Sequence, residues 1–163
     1  MTKQINVERW SVVSSKPFNE ILMVIDAAIG HPDLPTLRKA IVAAQTYSEM
    51  ESAVRGAVGS TNLMQFMRFD LGEIIAKGRE SDSPRILRLL VGNPLIMRQM
   101  AELVPDAGSY DPVTILIDER ADGVHLSYDR MASLLAPYKN PEALKVANDL
   151  DLKVEALLAG AAS

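Results

Sequence analysis

The sequence predicts a soluble α+β domain, and three observations carry that prediction. A dense apolar run at residues 85–91 has the length of a buried strand. It leads directly into Gly92-Asn93-Pro94, where Asn is a preferred N-cap and Pro a preferred first helical residue. Further along, residues 113–120 and 124–128 flank Asp122-Gly123, the strongest short hairpin signal.

The remaining elements follow in chain order. Residues 5–13 read as a strand with Ile5, Val7 and Arg9 on one face. Ser15 reads as a helix N-cap with Pro17 in the first turn. Phe18, Ile21, Leu22, Ile25, Ala28 and Ile29 then recur at helical spacing, and Gly30 closes the helix as a left-handed C-cap. Asp33 caps a second helix with Pro35 in its first turn and Leu37, Ile41 and Ala44 as its stripe. Ser48 and Glu51 have capping-box spacing for a third. Gly56 lies inside that third helix, at a cost of about 1 kcal/mol against Ala, and Gly59 stops it.

Residues 62–70 read as a strand that turns at Asp70-Leu71-Gly72 and returns as a strand through residues 73–77. Residues 78–84 form a charged loop rich in breakers. The helix from Pro94 turns Ile96, Met100, Leu103 and Val104 inward, and residues 105–112 form a loop. Beyond the hairpin a helix runs through Met131, Leu134 and Leu135. Asn140-Pro141 opens a last helix lined by Leu144, Ala147, Leu150, Val154, Leu157 and Leu158. The small-residue tail at 159–163 is expected to fray.

Bulk composition narrows the function classes. The 163 residues fit one domain, 48% of them are hydrophobic and 23% charged, and that length buries a core without metal or disulfide. The absence of cysteine excludes disulfides, thiol catalysis and zinc–thiolate sites. A formal net charge of -4 with no basic cluster argues against nucleic acid and anionic membrane as partners. His31 and His125 are far apart and no calcium-loop spacing appears, so neither a metal nor a cofactor is expected. The first ten residues lack the apolar run of a signal peptide, and no stretch approaches a membrane span of about 18 apolar residues. The expected location is the cytoplasm.

The hairpin permits a register argument. A two-residue Asp122-Gly123 loop pairs Ala121 with Val124, Arg120 with His125, Glu119 with Leu126, Asp118 with Ser127 and Ile117 with Tyr128. Ile117, Glu119, Ala121, Val124, Leu126 and Tyr128 then share a mostly apolar face. Asp118, Arg120, His125 and Ser127 share the other.

Glu119 is out of keeping with its face, because an unpaired buried carboxylate costs several kcal/mol or takes up a proton. Two readings stand. Glu119 is a general acid/base or ligand-orienting group beside Tyr128. Or it reaches solvent at the strand's end, or pairs with Arg68 or Arg88. A Ser127–His125–Asp118 triad is disfavoured, since neighbours on a flat strand supply no strained nucleophile turn or oxyanion hole. Gly92-Asn93-Pro94 is either an anion site at a helix start or an ordinary capped helix, and Pro94 removes one donor. Arg68 and Asp70 share a face with Met64 and Phe66, which allows an Arg68–Glu119 pair or an edge position where charges escape to water. Met64, Met67, Met97, Met100 and Met131 either line an adaptable apolar cavity or belong to the core.

The ordered pieces Leu90-Val91-Gly92-Asn93-Pro94, Val113-Thr114-Ile115-Leu116-Ile117, Glu119, Asp122-Gly123 and Leu126-Ser127-Tyr128 resemble the bacterial domain-of-unknown-function family numbered three hundred and two. The strand and helix at residues 5–30 match its opening. The resemblance implies a fold like that of the TATA-binding protein: a curved antiparallel sheet with helices packed on one face, and a homodimer. It implies no activity. Residues 31–60 then read as a helical insertion and residues 139–163 as a C-terminal helical extension, each suited to a pocket lid or an interface.

Three functions are weighed. The favoured one is a small-molecule-binding or sensing domain without catalysis, with Arg68, Glu119, Tyr128 and Asn93 as ligand contacts. The second is a small enzyme with Glu119 as general acid/base and Tyr128 or His125 assisting. The third is a homodimeric assembly module. Nothing in the sequence supplies the parts the second still needs.

Overall fold

The structure, a computed structural model, describes residues 2–78 and 83–163. The predicted loop at 78–84 lies largely outside the described residues. The chain folds as an α+β structure around a five-stranded antiparallel sheet in the order β1-β5-β4-β3-β2. The strands are β1 (Arg9–Ser14), β2 (Met64–Asp70), β3 (Ile86–Gly92), β4 (Val113–Arg120) and β5 (Gly123–Asp129). The helices are α1 (Phe18–Ala28), α2 (Leu34–Ala43), α3 (Tyr47–Arg55), α4 (Leu71–Ala76), α5 (Pro94–Ala101), α6 (Met131–Leu135) and α7 (Pro141–Ala162).

Alternation along the strands decides which face is covered. Leu87, Leu89, Val91, Ile115, Ile117, Val124, Leu126 and Tyr128 point inward and are buried. They pack with Phe18, Ile21 and Ile25 of α1, Met100 of α5, and Leu150, Val154 and Leu158 of α7 in one cluster. A smaller cluster joins Leu37 of α2, Val54 of α3, Met64 of β2 and Leu95 of α5. The opposite sheet face carries Arg88, Thr114 and the exposed Val13, Met67 and Phe69.

Several boundaries depart from the sequence expectations, each for an identifiable reason. The first strand is Arg9–Ser14 rather than 5–13, because its register is set by β5, with Trp10 opposite Tyr128 and Val12 opposite Leu126. Arg9 therefore lies on the open face. Pro17, not Ser15, holds the cap position of α1, with no side-chain cap bond. Thr46, not Ser48, caps α3 by accepting from the Glu49 amide at 3.2 Å, and the helix ends at Gly56. Residues 71–76 are helical because Asp70 accepts from the Glu73 amide at 3.0 Å, capping chemistry that overrides the predicted return strand. Leu103 is 40% exposed rather than inward. The tail does not fray: α7 runs to Ala162, Ala161 is fully buried, and the Ser14 hydroxyl donates to the Ala162 carbonyl at 2.6 Å.

The hairpin turns at Ala121-Asp122, so Arg120 pairs with Gly123, Glu119 with Val124, Asp118 with His125 and Ile117 with Leu126. The slip is even, and every side chain keeps the face assigned to it. Gly123 has φ +135°, and a Cβ there would lie 2.6 Å from the Ser14 carbonyl oxygen. The glycine thus serves a close approach to β1 as well as the turn.

Gly30 is not a left-handed cap. It bridges Met64, with its amide donating to the Leu63 carbonyl at 2.8 Å and its carbonyl accepting from the Gln65 amide at 2.8 Å. A Cβ there would stand 1.9 Å from the Ala57 carbonyl oxygen. Gly30→Ala is expected to cost about 1–3 kcal/mol by forcing the backbones apart. Urea denaturation checks this, with Gly108→Ala, which meets open space, as the neutral control.

A buried polar staple joins α7 to the rest. Asp151 is fully buried. It accepts from the Tyr128 hydroxyl at 2.5 Å, the Met131 amide at 2.7 Å and the Ala132 amide at 3.1 Å. Those two amides open α6, so a carboxylate from α7 caps a helix that has no cap of its own. Arg130 completes the arrangement, with Nε 3.6 Å from Asp151 and 2.9 Å from Glu155.

Candidate functional site

The predicted site residues do not converge. Arg68 lies on the edge strand and pairs with Asp26 of α1 at 3.2 Å, not with Glu119. Glu119 is half-buried at the end of β4, where its Oε2 accepts from the Arg85 amide at 3.1 Å. Its own amide donates back to the Arg85 carbonyl at 2.9 Å. Tyr128 is committed to Asp151, and burial together with that carboxylate pushes its phenol well above the ordinary range, so it stays a donor. Asn93 is buried with both polar atoms used: Oδ1 accepts from the Leu95 amide at 2.8 Å and Nδ2 donates to the Asn62 carbonyl at 2.9 Å. It caps α5 and ties it to the segment before β2. On the open face, His125 bonds to Asp122 and Asp118 to Arg120, so no Ser127–His125–Asp118 relay forms.

Asn93 nevertheless marks the region where a site is built. The pair α2 and α3 is held against the start of β2 by the Gly30 bridge and by the Gly59 amide, which donates to Leu63 at 2.9 Å. The clamp at Asn93 sets Pro94 and Leu95 facing that pair. Between them runs an apolar groove. One cavity of about 390 Å³ is lined by Ile41, Met50, Pro94, Leu95, Met97 and Arg98 among others. A second of about 290 Å³ is lined by Leu34, Leu37, Arg38, Ile41, Phe66 and Pro94. Ile41 and Pro94 belong to both, so the cavities adjoin.

Charge is confined to the rim. Arg98 pairs with Glu102 at 2.6 Å and stacks over the Tyr47 ring at 4.6 Å. Arg38 forms no ion pair among the described residues. The lining contains no nucleophile, and its one carboxylate is held by Arg98. Such a groove offers burial to an apolar chain and one unpaired cation beside it. α2 buries only Leu37, so few buried contacts anchor it. Met97, one of the methionines weighed as cavity lining, lies here, whereas Met100 and Met131 are core.

A second feature is Asp111, just before β4. It is 9% exposed, and its Oδ1 finds no hydrogen-bond partner. A Cβ on Gly92 would lie 3.1 Å from its Oδ2, so the glycine makes room for it. Burial alone pushes its carboxyl up to about 7. No sequence signal pointed to it, since a lone Asp in a predicted loop reads as solvated.

Fold and groove together define an α+β protein with helices on one face of an antiparallel sheet and a helical pair beside it. Residues 39–161 match the family described as Domain of unknown function DUF302, a range that begins inside α2 and ends inside α7, and the chain belongs to that family. Among solved structures it is similar to the uncharacterized conserved protein DUF302 from Bacillus stearothermophilus, at 14% sequence identity and a TM-score of 0.64. That match covers 95% of this chain and 98% of the other. No curated protein matches the chain. Among the described residues no helix is long and apolar enough to cross a membrane.

Proposed function

We propose that the protein binds an amphipathic small molecule, an apolar chain with one anionic group, in the groove between α2, α3 and α5. The observation that carries this reading is the pair of adjoining apolar cavities with Arg38 unpaired at their edge. Their size is at the lower end of the range for small-molecule sites, about 300–1,000 Å³. Binding without catalysis is favoured because the lining holds no acid–base pair or nucleophile. Displacement of the weakly anchored α2 admits the ligand. The apolar chain then covers Ile41, Met50 and Met97, and the two flexible methionines adapt to its shape.

Decanoate is a suitable probe. Calorimetry is expected to give saturable one-to-one binding. Ile41→Glu, at a half-buried position, places a carboxylate in the path of the chain and is expected to abolish that binding with the circular dichroism spectrum unchanged. Arg38→Gln is expected to weaken binding by about 2- to 5-fold, the value of one exposed charge contact. Absence of saturable binding, or equal binding by Ile41→Glu and Met97→Glu variants, overturns the proposal.

A further inference from the structure

We propose that the open face of the sheet carries a second, separate site for a small carboxylate, gripped by the Arg88 guanidinium and the Ser127 and Thr114 hydroxyls. A cavity of about 210 Å³ lies over this face, lined by Arg9, Arg88, Thr114, Leu116, Ser127 and Asp129 among others. It shares no lining residue with the groove between α2 and α5.

The strand register builds the site. Arg88 of β3 pairs with Leu116 of β4, which pairs with Ser127 of β5. The three side chains form one row across adjacent strands, with Leu116 as an apolar floor between two polar ends. Neighbouring strands are about 4.8 Å apart, so Arg88 and Ser127 stand about 10 Å apart at the backbone, leaving room for a small molecule above Leu116.

The chemistry of the lining selects the ligand. Arg9 and Asp129 satisfy each other through bonds of 2.6 and 2.9 Å, so the local carboxylate is neutralised. Arg88 has no carboxylate partner among the described residues. It makes one long bond of 3.3 Å to the Thr114 hydroxyl and lies 6.0 Å from the Phe69 ring centroid. Ser127 is 9% exposed, and its hydroxyl bonds to no described residue. One unpaired guanidinium presents two parallel N–H donors, the match for a carboxylate. A second unpaired cation, which a phosphate dianion needs, is missing from the lining. Leu116 favours an aromatic or short aliphatic body behind the carboxylate.

Benzoate and inorganic phosphate separate the outcomes in amide-detected NMR titrations of the whole chain. Benzoate is expected to give saturable shifts at Leu116 and Ser127. Arg88→Gln, at an exposed position, is expected to weaken binding about tenfold or more, and Ser127→Ala by about 2- to 5-fold. Ile41→Glu is expected to leave the benzoate shifts intact, which keeps this site distinct from the groove. Unsaturable shifts, unchanged affinity in Arg88→Gln, or tighter binding of phosphate than of benzoate overturns the proposal.

Discussion

Asp151→Ala is expected to destabilise the fold by about 3–5 kcal/mol, the cost of breaking a buried charged cluster from one side. The substitution leaves the Ala132 amide and the Tyr128 hydroxyl without an acceptor, leaves the Met131 amide only the Tyr128 oxygen at 3.1 Å, and takes one of two nearby carboxylates from Arg130 Nε. Each orphaned buried group costs about 1–3 kcal/mol when nothing replaces its partner. Tyr128→Phe removes only the hydroxyl, so its expected cost is nearer 1 kcal/mol. Denaturant unfolding of the two variants measures the difference. Equal costs would mean that the amides of α6 find other acceptors, and the staple would then not be what secures α7.

The second large effect concerns pH. The Asp111 carboxyl titrates near 4 in the unfolded chain and at about 7 when buried. The folded state therefore binds more protons than the unfolded state between those values, and stability falls as pH rises through that window. Its contribution is fully present below about pH 4 and is lost above about pH 7. A difference of about 3 pKa units corresponds to about 4 kcal/mol at most. Asp111→Asn is expected to match the parent near pH 4 and to be the more stable protein at pH 8. Urea unfolding at both values checks it; a variant with the parent's pH dependence would place the charge elsewhere.

Local chemistry made much of the fold legible. The Asn93, Asp33 and Asn140 caps each bond to an amide two or three residues on, and each is recognisable as a capping side chain with a proline in the first helical turn. The hairpin faces were recognisable for the same reason, since alternation survives an even slip in register. The turn itself was misplaced because Gly123 answers to Ser14, more than a hundred residues away, and no local pattern shows that approach. Gly30 looks like a helix cap in the sequence, but its role is set by Ala57.

The site was less legible than the fold. Glu119 stands out in the sequence as a carboxylate on an apolar face, and the structure gives it a backbone partner at Arg85. The same anomaly stands in the last helix. Asp151 falls between Ala147 and Val154 at spacings of four and three, inside the apolar stripe. That spacing could have found the staple. The groove depends on how α2 and α3 sit against α5, which is tertiary packing. Its only sequence trace was the surplus of methionine.

Methyl NMR of the eight methionines offers the most direct measurement of the proposed groove. Met50 and Met97 line it, while Met100 and Met131 are fully buried in the main core and Met67 lies on the open sheet face. On addition of decanoate, the Met50 and Met97 methyl signals are expected to shift together and saturate, with Met67, Met100 and Met131 unmoved. Saturating shifts at Met67 alone, or no shift at Met50 and Met97, would contradict the account.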